Sequence, residues 1–287
     1  MSGANAVKSR SAKRFTPMAI THNDRTLFLR LRNAGLLPPR PSMLEFGEGQ
    51  WFGDVPAERL SEDIDALVQD AQLREELHQR MVTILCGDSP YQSWDLAKVF
   101  FKACLDYRKY TAIDFQGTPE ARRIDLNYPV ALGEQFDVLI NAGTAEHVFN
   151  VAQVFRSAHE LTRPGGLMIH VMPFRGWLEH GFYSFNSTFY WDLASANDYT
   201  MLIHAYAELK PPKLIELTRR DHIMDLAAGG QLGKNATLYA VMKKAGAESE
   251  FRIPVQHIYA RTGGIAAREA PADAERDDAD TARTKPA

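Results

Sequence analysis

The stretch Glu45-Phe46-Gly47-Glu48-Gly49 ends a short apolar run in two glycines one residue apart. In the first turn of an open parallel sheet, that spacing lets the backbone approach a nucleotide. The matching half of the signal is an acid at the end of the next strand, where a carboxylate accepts ribose hydroxyls. Asp114 in "YTAIDF" is that acid, with Phe115 beside it. It lies 65 positions beyond Gly49, against about 20 in a dinucleotide fingerprint. Trp51 also stands where a third small residue is expected, so a pyrophosphate is poorly served.

A second group of residues carries acid–base chemistry. His147 follows a strand-like run at the start of a helical one, and histidine moves protons near neutral pH. It is the first candidate for a base or substrate contact; the competing reading is a structural imidazole packed under the site. After the next strand comes "PFRGWLEHGFYSFNSTFYWDLASANDY", where His180, Tyr183, Asn186 and Tyr190 offer polar tips on an aromatic wall. Ser187 or Asn186 caps a helix to about Asn197, and part of the cluster is expected to pack while part meets substrate.

Other patterns fail on inspection. "AGGQLGKN" has Ala228 where a phosphate loop requires its first glycine and Asn235 where Ser or Thr is required. "DHIMD" sets Asp221, His222 and Asp225 close together, and reads as a solvated turn rather than a metal patch. "AHELT" lacks the second histidine of a zinc-protease helix. No metal is expected.

The elements that must position these residues alternate. "NDRTLFLRLRNAG" is an opening helix with Asn23 or Asp24 as cap, and "SMLEF" is a buried strand. "SEDIDALVQDAQLREELHQRMVTIL" reads as one helix starting at Ser61, and "SWDLAKVFFKACLDY" as another. "KYTAIDF", "ARRIDL", "FDVLINAG" and "GGLMIHVMP" are strand-like, with the amphipathic "NVAQVFRSAHELT" between the last two. "PPKLIELTRR" and "ATLYAVMKK" suit a strand pair at one sheet edge. Strands alternating with helices predict an α/β fold, a mostly parallel sheet covered on both faces.

The 287 residues are 45% hydrophobic and 24% charged with a formal net charge of −3, which suits one large domain and gives no general attraction to nucleic acid or anionic membrane. No basic stripe with interleaved aromatics appears. Two cysteines, Cys86 and Cys104, are too few for a disulfide framework, and no apolar run approaches a membrane span, so a cytoplasmic protein is expected. Residues 1–16 and 266–287 read as disordered tails around a single domain over 17–265 with a helical insertion at 51–107.

Over residues 40 to 245 the chain resembles the class I methyltransferases that use S-adenosylmethionine. "LEFGEG" resembles their first motif, "YTAIDF" the second and "RIDL" their third strand. "FDVLINAGTAEHVFNVAQVFRSAHELTRPGGLMIHVMP" matches a fourth strand, a Glu-His-Val step, a helix and a Pro-Gly-Gly turn before strand five. The resemblance implies a Rossmann-like seven-stranded sheet with a reversed last strand. It implies that Glu45, Phe46, Gly47, Glu48 and Gly49 shape the methionine end of a cofactor site, and that Asp114 and Phe115 hold ribose. It further implies that Asp125 and Leu126 flank adenine and that Asn141, Ala142 and Gly143 line the mouth. The acceptor implied is a small molecule (a sugar, a glycan precursor or a secondary metabolite) methylated on oxygen or nitrogen, with S-adenosylhomocysteine as product. A homodimer is the assembly to consider. The rivals are an NAD(P)-dependent oxidoreductase, disfavoured by the missing third glycine and the absence of a Tyr-x-x-x-Lys pair, and an inactive cofactor-binding subunit of the same fold.

Overall fold

The computed structural model describes residues 19–51 and 54–260, so both expected tails lie outside the described residues. Along the chain come β1 (Ala19–Ile20), α1 (His22–Asn33), β2 (Ser42–Phe46), β3 (Gln50–Trp51), α2 (Ala57–Leu67), α3 (Ala71–Cys86) and α4 (Gln92–Leu105). There follow β4 (Lys109–Ile113), β5 (Phe136–Ala142), a 3-10 turn (Ala145–His147), α5 (Val151–Leu161), β6 (Thr162–Arg175) and α6 (Ser187–Ala196). The chain continues through β7 (Thr200–Glu208), β8 (Lys213–Glu216), α7 (His222–Ala228) and β9 (Ala236–Lys243).

One seven-stranded sheet runs in the order β4-β2-β5-β6-β9-β7-β8. β4, β2, β5 and β6 are mutually parallel, β9 is antiparallel to both its neighbours, and β8 is antiparallel to β7. The expected mostly parallel, Rossmann-like sheet with a reversed last strand is therefore present. Its central strands are buried on both faces, as five consecutive buried residues in β2 require. Met43, Val138 and Ile140 face the layer built from Leu27, Leu60 and Phe100 of α1, α2 and α4. Leu44 and Leu139 face the opposite layer, with Val154 and Phe155 of α5 and Tyr190 of α6. Adjacent residues going to opposite layers is the two-residue period of a strand.

Several elements differ from the sequence reading. α1 is capped by Thr21 rather than Asn23 or Asp24: Thr21 and Asp24 form a capping box. The helix expected from Ser61 is two helices, because Val68 turns extended and Asp70 accepts the Leu73 N–H at 2.8 Å to start α3 afresh. "RIDL" is not a strand; that region makes a single bridge, Ile113 to Arg122. The count of seven is restored by β7 (Thr200–Glu208), a strand the sequence reading did not include. β8 and β9 do not pair with each other, because β7, unread in the sequence, lies between them. "DHIMD" opens α7, where Arg219 pairs with both Asp221 and Asp225.

Arg32 fastens the helical layer. Its guanidinium donates to the Ala103 carbonyl at 3.0 Å, to that of Cys104, and to that of Leu67 at 2.5 Å. These are the last carbonyls of α4 and α2, which a helix terminus leaves without internal partners. Among the described residues no helix is long and apolar enough to cross a membrane. An Arg32→Met substitution strands three acceptors and is expected to destabilise the fold by about 2–3 kcal/mol in urea denaturation; an unchanged midpoint would remove Arg32 from this role.

Candidate active site at the carboxyl ends of the parallel strands

From β2 the chain crosses through α4 to β4 on one side, while β5 lies on the other. The order therefore reverses between β2 and β5, and a crevice opens beyond the carboxyl ends of strands at such a switch point. Two turns meet there. Gly47 ends β2 with φ 79° and Gly143 ends β5 with φ 67°, a region glycine enters without penalty. Thr144 Oγ1 donates to the Phe46 carbonyl at 2.7 Å and ties one turn to the other.

The acids of the glycine turn point inward. Glu45 is buried and accepts from the Tyr110 hydroxyl and from Gly49 N–H at 3.3 Å. Burial raises its carboxyl from 4.5 to about 7, against the lowering effect of those donors. A Cβ on Gly49 would sit 3.0 Å from Glu45 Oε1, a tight contact in which the acid beneath would have to give way. Glu48 accepts from the N–H and hydroxyl of Thr118 and pairs with Lys98 Nζ at 3.0 Å, both side chains being almost wholly buried. Burial alone would push the Lys98 ammonium down; the Glu48 and Glu120 carboxylates hold it above its ordinary value. Glu48 is thus a brace under the turn and does not face a ligand, a correction to its expected role.

Asp114 sits at the end of β4, half-buried. Its Oδ2 accepts Glu48 N–H at 2.8 Å, and its Oδ1 accepts Gln116 N–H at 2.6 Å and Gly117 N–H at 3.0 Å. A carboxylate has about four acceptor positions. With two N–H groups on Oδ1 and one on Oδ2, one position on Oδ2 is left for a ligand hydroxyl. Arg123 donates to the carbonyls of Asp114, Gly117 and Thr118 and closes the loop that presents this acid. Phe115, 63% exposed, stands beside it.

Trp51 does not enter the crevice. It pairs through β3 with β1, packs 5.6 Å from the Phe100 ring and donates Nε1–H to the Val55 carbonyl at 2.9 Å. Asp125 Oδ1 accepts both the N–H and the amide of Asn127, capping a turn, and Leu126 is buried in the core. Asn141 is fully buried and faces the His170 ring at 3.2 Å, so it does not line the mouth; Ala142 and Gly143 are half-buried beside it. Burial alone drives His170 down to about 3 and keeps it neutral.

The acid–base residues gather beyond β5 and β6. Glu146 and His147 are in the 3-10 turn after β5; His180 is in the loop after β6. Glu146 is 1% exposed. His180 Nε2 lies 3.4 Å and His147 Nε2 lies 3.8 Å from Glu146 Oε1, and the two imidazole centroids are 4.9 Å apart. Burial lowers His147 below its ordinary value; Glu146 opposes this and His180 adds to it. Phe182 and Tyr183 N–H both donate to the Glu146 carbonyl, at 2.7 and 3.2 Å. Gly181 permits that approach, since a Cβ there would lie 2.8 Å from the same oxygen.

The aromatic segment divides. Tyr190 is fully buried against Phe185 and His204, so it is core and not a substrate contact. The Tyr183 hydroxyl donates to the Phe149 carbonyl at 2.7 Å. Asn186 is exposed at the start of α6 and lines a 360 Å³ cavity with Phe185, Phe189 and Gln256. A second cavity of 510 Å³, near His159, Lys244 and Phe251, is remote from the switch point. Neither reaches Gly47, Gly49 or Asp114, so the crevice is located by topology and hydrogen bonding rather than by cavity size. Lys98, Thr144 and Glu146 were not singled out in the sequence. A lysine on the apolar face of "DLAKVFFKACL" and an acid directly before His147 were the available signals.

No family model matches the chain, and no curated protein matches it. Among solved structures it is similar to the N-methyltransferase NodS from Bradyrhizobium japonicum WM9 in complex with S-adenosylhomocysteine, at 12% identity over 77% of this chain and 86% of that one, with TM-score 0.37. It is similar to the glycopeptide N-methyltransferase MtfA at 14% identity over 79% and 93%, with TM-score 0.28. A methyltransferase from Thermotoga maritima is 13% identical over 78% and 90%, with TM-score 0.34. These are distant likenesses in the course of the chain.

Two outcomes are expected of the buried charges. Lys98→Met leaves Glu48 buried and unpaired and should cost about 3–5 kcal/mol in urea unfolding, much of it regained in Glu48→Gln/Lys98→Met; a double variant no better than the single would contradict the pairing. Glu45, its folded value raised above its unfolded one, contributes stability that is complete below pH 4.5 and lost as the pH rises through about 7. The stability of the wild type relative to Glu45→Gln should therefore fall across that window by on the order of 3 kcal/mol. A flat difference from pH 4.5 to 7 would mean that Glu45 is ionised throughout.

Proposed function

We propose that this chain is a methyltransferase that uses S-adenosylmethionine and methylates an oxygen or nitrogen of a small molecule, a sugar, glycan precursor or secondary metabolite. The observation that carries the reading is the switch-point crevice, flanked by the glycine turns at Gly47 and Gly143, with Asp114 at its β4 side. The residues fit a nucleoside better than a dinucleotide. Asp114 keeps one acceptor position for a ribose hydroxyl and Phe115 presents an exposed ring beside it. Among the described residues the glycine turn runs into β3, and the next helix, α2, starts only at Ala57, so the turn does not open directly into the helix N-terminus that a pyrophosphate uses.

Bound S-adenosylmethionine supplies an electrophilic methyl group on a sulfonium. The chain's own residues orient the acceptor and handle its proton. Glu146, His147 and His180 stand on the adjacent strand ends, with Phe149 (73% exposed) and Phe182 (66% exposed) as an apolar platform, their rings 6.0 Å apart. An acceptor resting on that platform meets two imidazoles, of which His147, held neutral by burial, takes the proton-accepting role.

Asp114→Asn keeps size but removes charge and acceptor capacity. Equilibrium dialysis with S-adenosylhomocysteine should show affinity reduced about 10- to 100-fold, equivalent to about 1.4–2.7 kcal/mol. Unchanged affinity would mean the nucleoside binds elsewhere.

A further inference from the structure

We propose that Glu146, His147 and His180 form a binding site for one divalent transition-metal ion at the acceptor side of the crevice. Glu146 is 1% exposed, and both its carboxylate oxygens are buried without a hydrogen-bond partner. Burying an ionised carboxylate costs several kcal/mol unless it is paired. Two imidazole Nε2 atoms, of His180 and His147, lie 3.4 and 3.8 Å from Glu146 Oε1. Metal bonds of about 2.0–2.2 Å at tetrahedral angles set neighbouring ligand atoms about 3.3–3.6 Å apart; the 3.4 Å separation falls in that range and the 3.8 Å one lies just beyond it. One ligand atom from each of the three residues lies within 4.8 Å of the others, and the described residues hold no second such group of three.

The scaffold is built around this arrangement. Glu146 and His147 are fixed by the 3-10 turn after β5, and the His180 loop is pinned to the same turn by the Phe182 and Tyr183 bonds to the Glu146 carbonyl. Trp177 packs 5.0 Å from the His180 ring and is itself anchored by its Nε1–H to the Ala236 carbonyl at 2.8 Å. Such support orients a ligating imidazole. Two imidazoles and a carboxylate suit Zn²⁺, Fe²⁺, Co²⁺ or Mn²⁺ and are a poor set for Ca²⁺ or Mg²⁺, which prefer oxygen. Three protein ligands leave coordination positions open. The side chains of His147 and His180 are 29% and 17% exposed, so the site has access to solvent.

This inference rests on the methyltransferase reading only for its role: an acceptor hydroxyl bound to the ion is acidified, its proton leaves to solvent, and His147 then serves as a ligand instead of a base. The site itself is testable without any methyl donor. Chelator-treated full-length protein titrated with Co²⁺ should develop visible d–d absorption saturating at one equivalent, and Zn²⁺ should abolish it by competition. Glu146→Gln and His180→Ala should each weaken binding at least tenfold while remaining folded by far-ultraviolet circular dichroism, and His222→Ala on α7 should bind as the wild type does. No spectrum at one equivalent, retention of affinity in both site variants, or loss in His222→Ala would overturn the proposal. If either site variant fails to unfold cooperatively, Zn²⁺ protection of His147 and His180 from diethylpyrocarbonate in the wild type decides: protection of that pair supports the site and equal labelling overturns it. Nucleoside binding by the chelated protein is scored separately, so the two readings fail independently.

Discussion

The buried ion pair between Glu48 and Lys98 is the constraint on which the crevice depends. A glycine turn beside a sheet is free to collapse onto the strands beneath it, and here an acid between the two glycines is driven inward to a lysine on α4 and to Thr118 across the β4 loop. Neither charge tolerates burial alone, so the turn, the crossover helix and the loop after β4 must hold their relative positions for the pair to exist. Asp114 completes the brace by accepting the Glu48 N–H. The acid expected to face a ligand thus also organises the backbone a ligand would approach.

Sheet topology supplies the rest. Because β4 and β5 flank β2 on opposite sides, the connections leave the strand ends in opposite directions, the arrangement that opens a crevice at a switch point. Glycines with left-handed backbone close each turn tightly, and Thr144 joins them. The two layers then diverge in purpose. One is made by α1 to α4, locked through Arg32 and the Phe28–Phe100–Phe101 cluster; the other, made by α5 and α6, carries the acid–base residues at its rim.

Much of this was legible in the sequence for identifiable reasons. β2, β4, β5 and the central part of β6 are short apolar runs bounded by turn residues, and α5 shows an apolar stripe, so their types follow from periodicity. "RIDL" has the pattern of a strand, but Arg123 turns back to the loop carbonyls and Asp125 caps a turn, leaving only a bridge. β7 escaped because His204 breaks its apolar run, although β9 and β8 pair along it. The site residues divide in the same manner. Glycines and strand-end acids have local signatures, whereas the inward turn of Glu48, the burial of Asn141 and Tyr190, and the meeting of His180 with Glu146 are set by packing between segments distant in sequence.

The central claim is that the switch-point crevice is a nucleoside site for a methyl donor. Calorimetric titration of the full-length protein with S-adenosylmethionine, S-adenosylhomocysteine and NADH measures it directly. Micromolar binding of the first two at one equivalent, with no heat from NADH, is the predicted result. Binding of NADH alone, or of none of the three, would contradict the account.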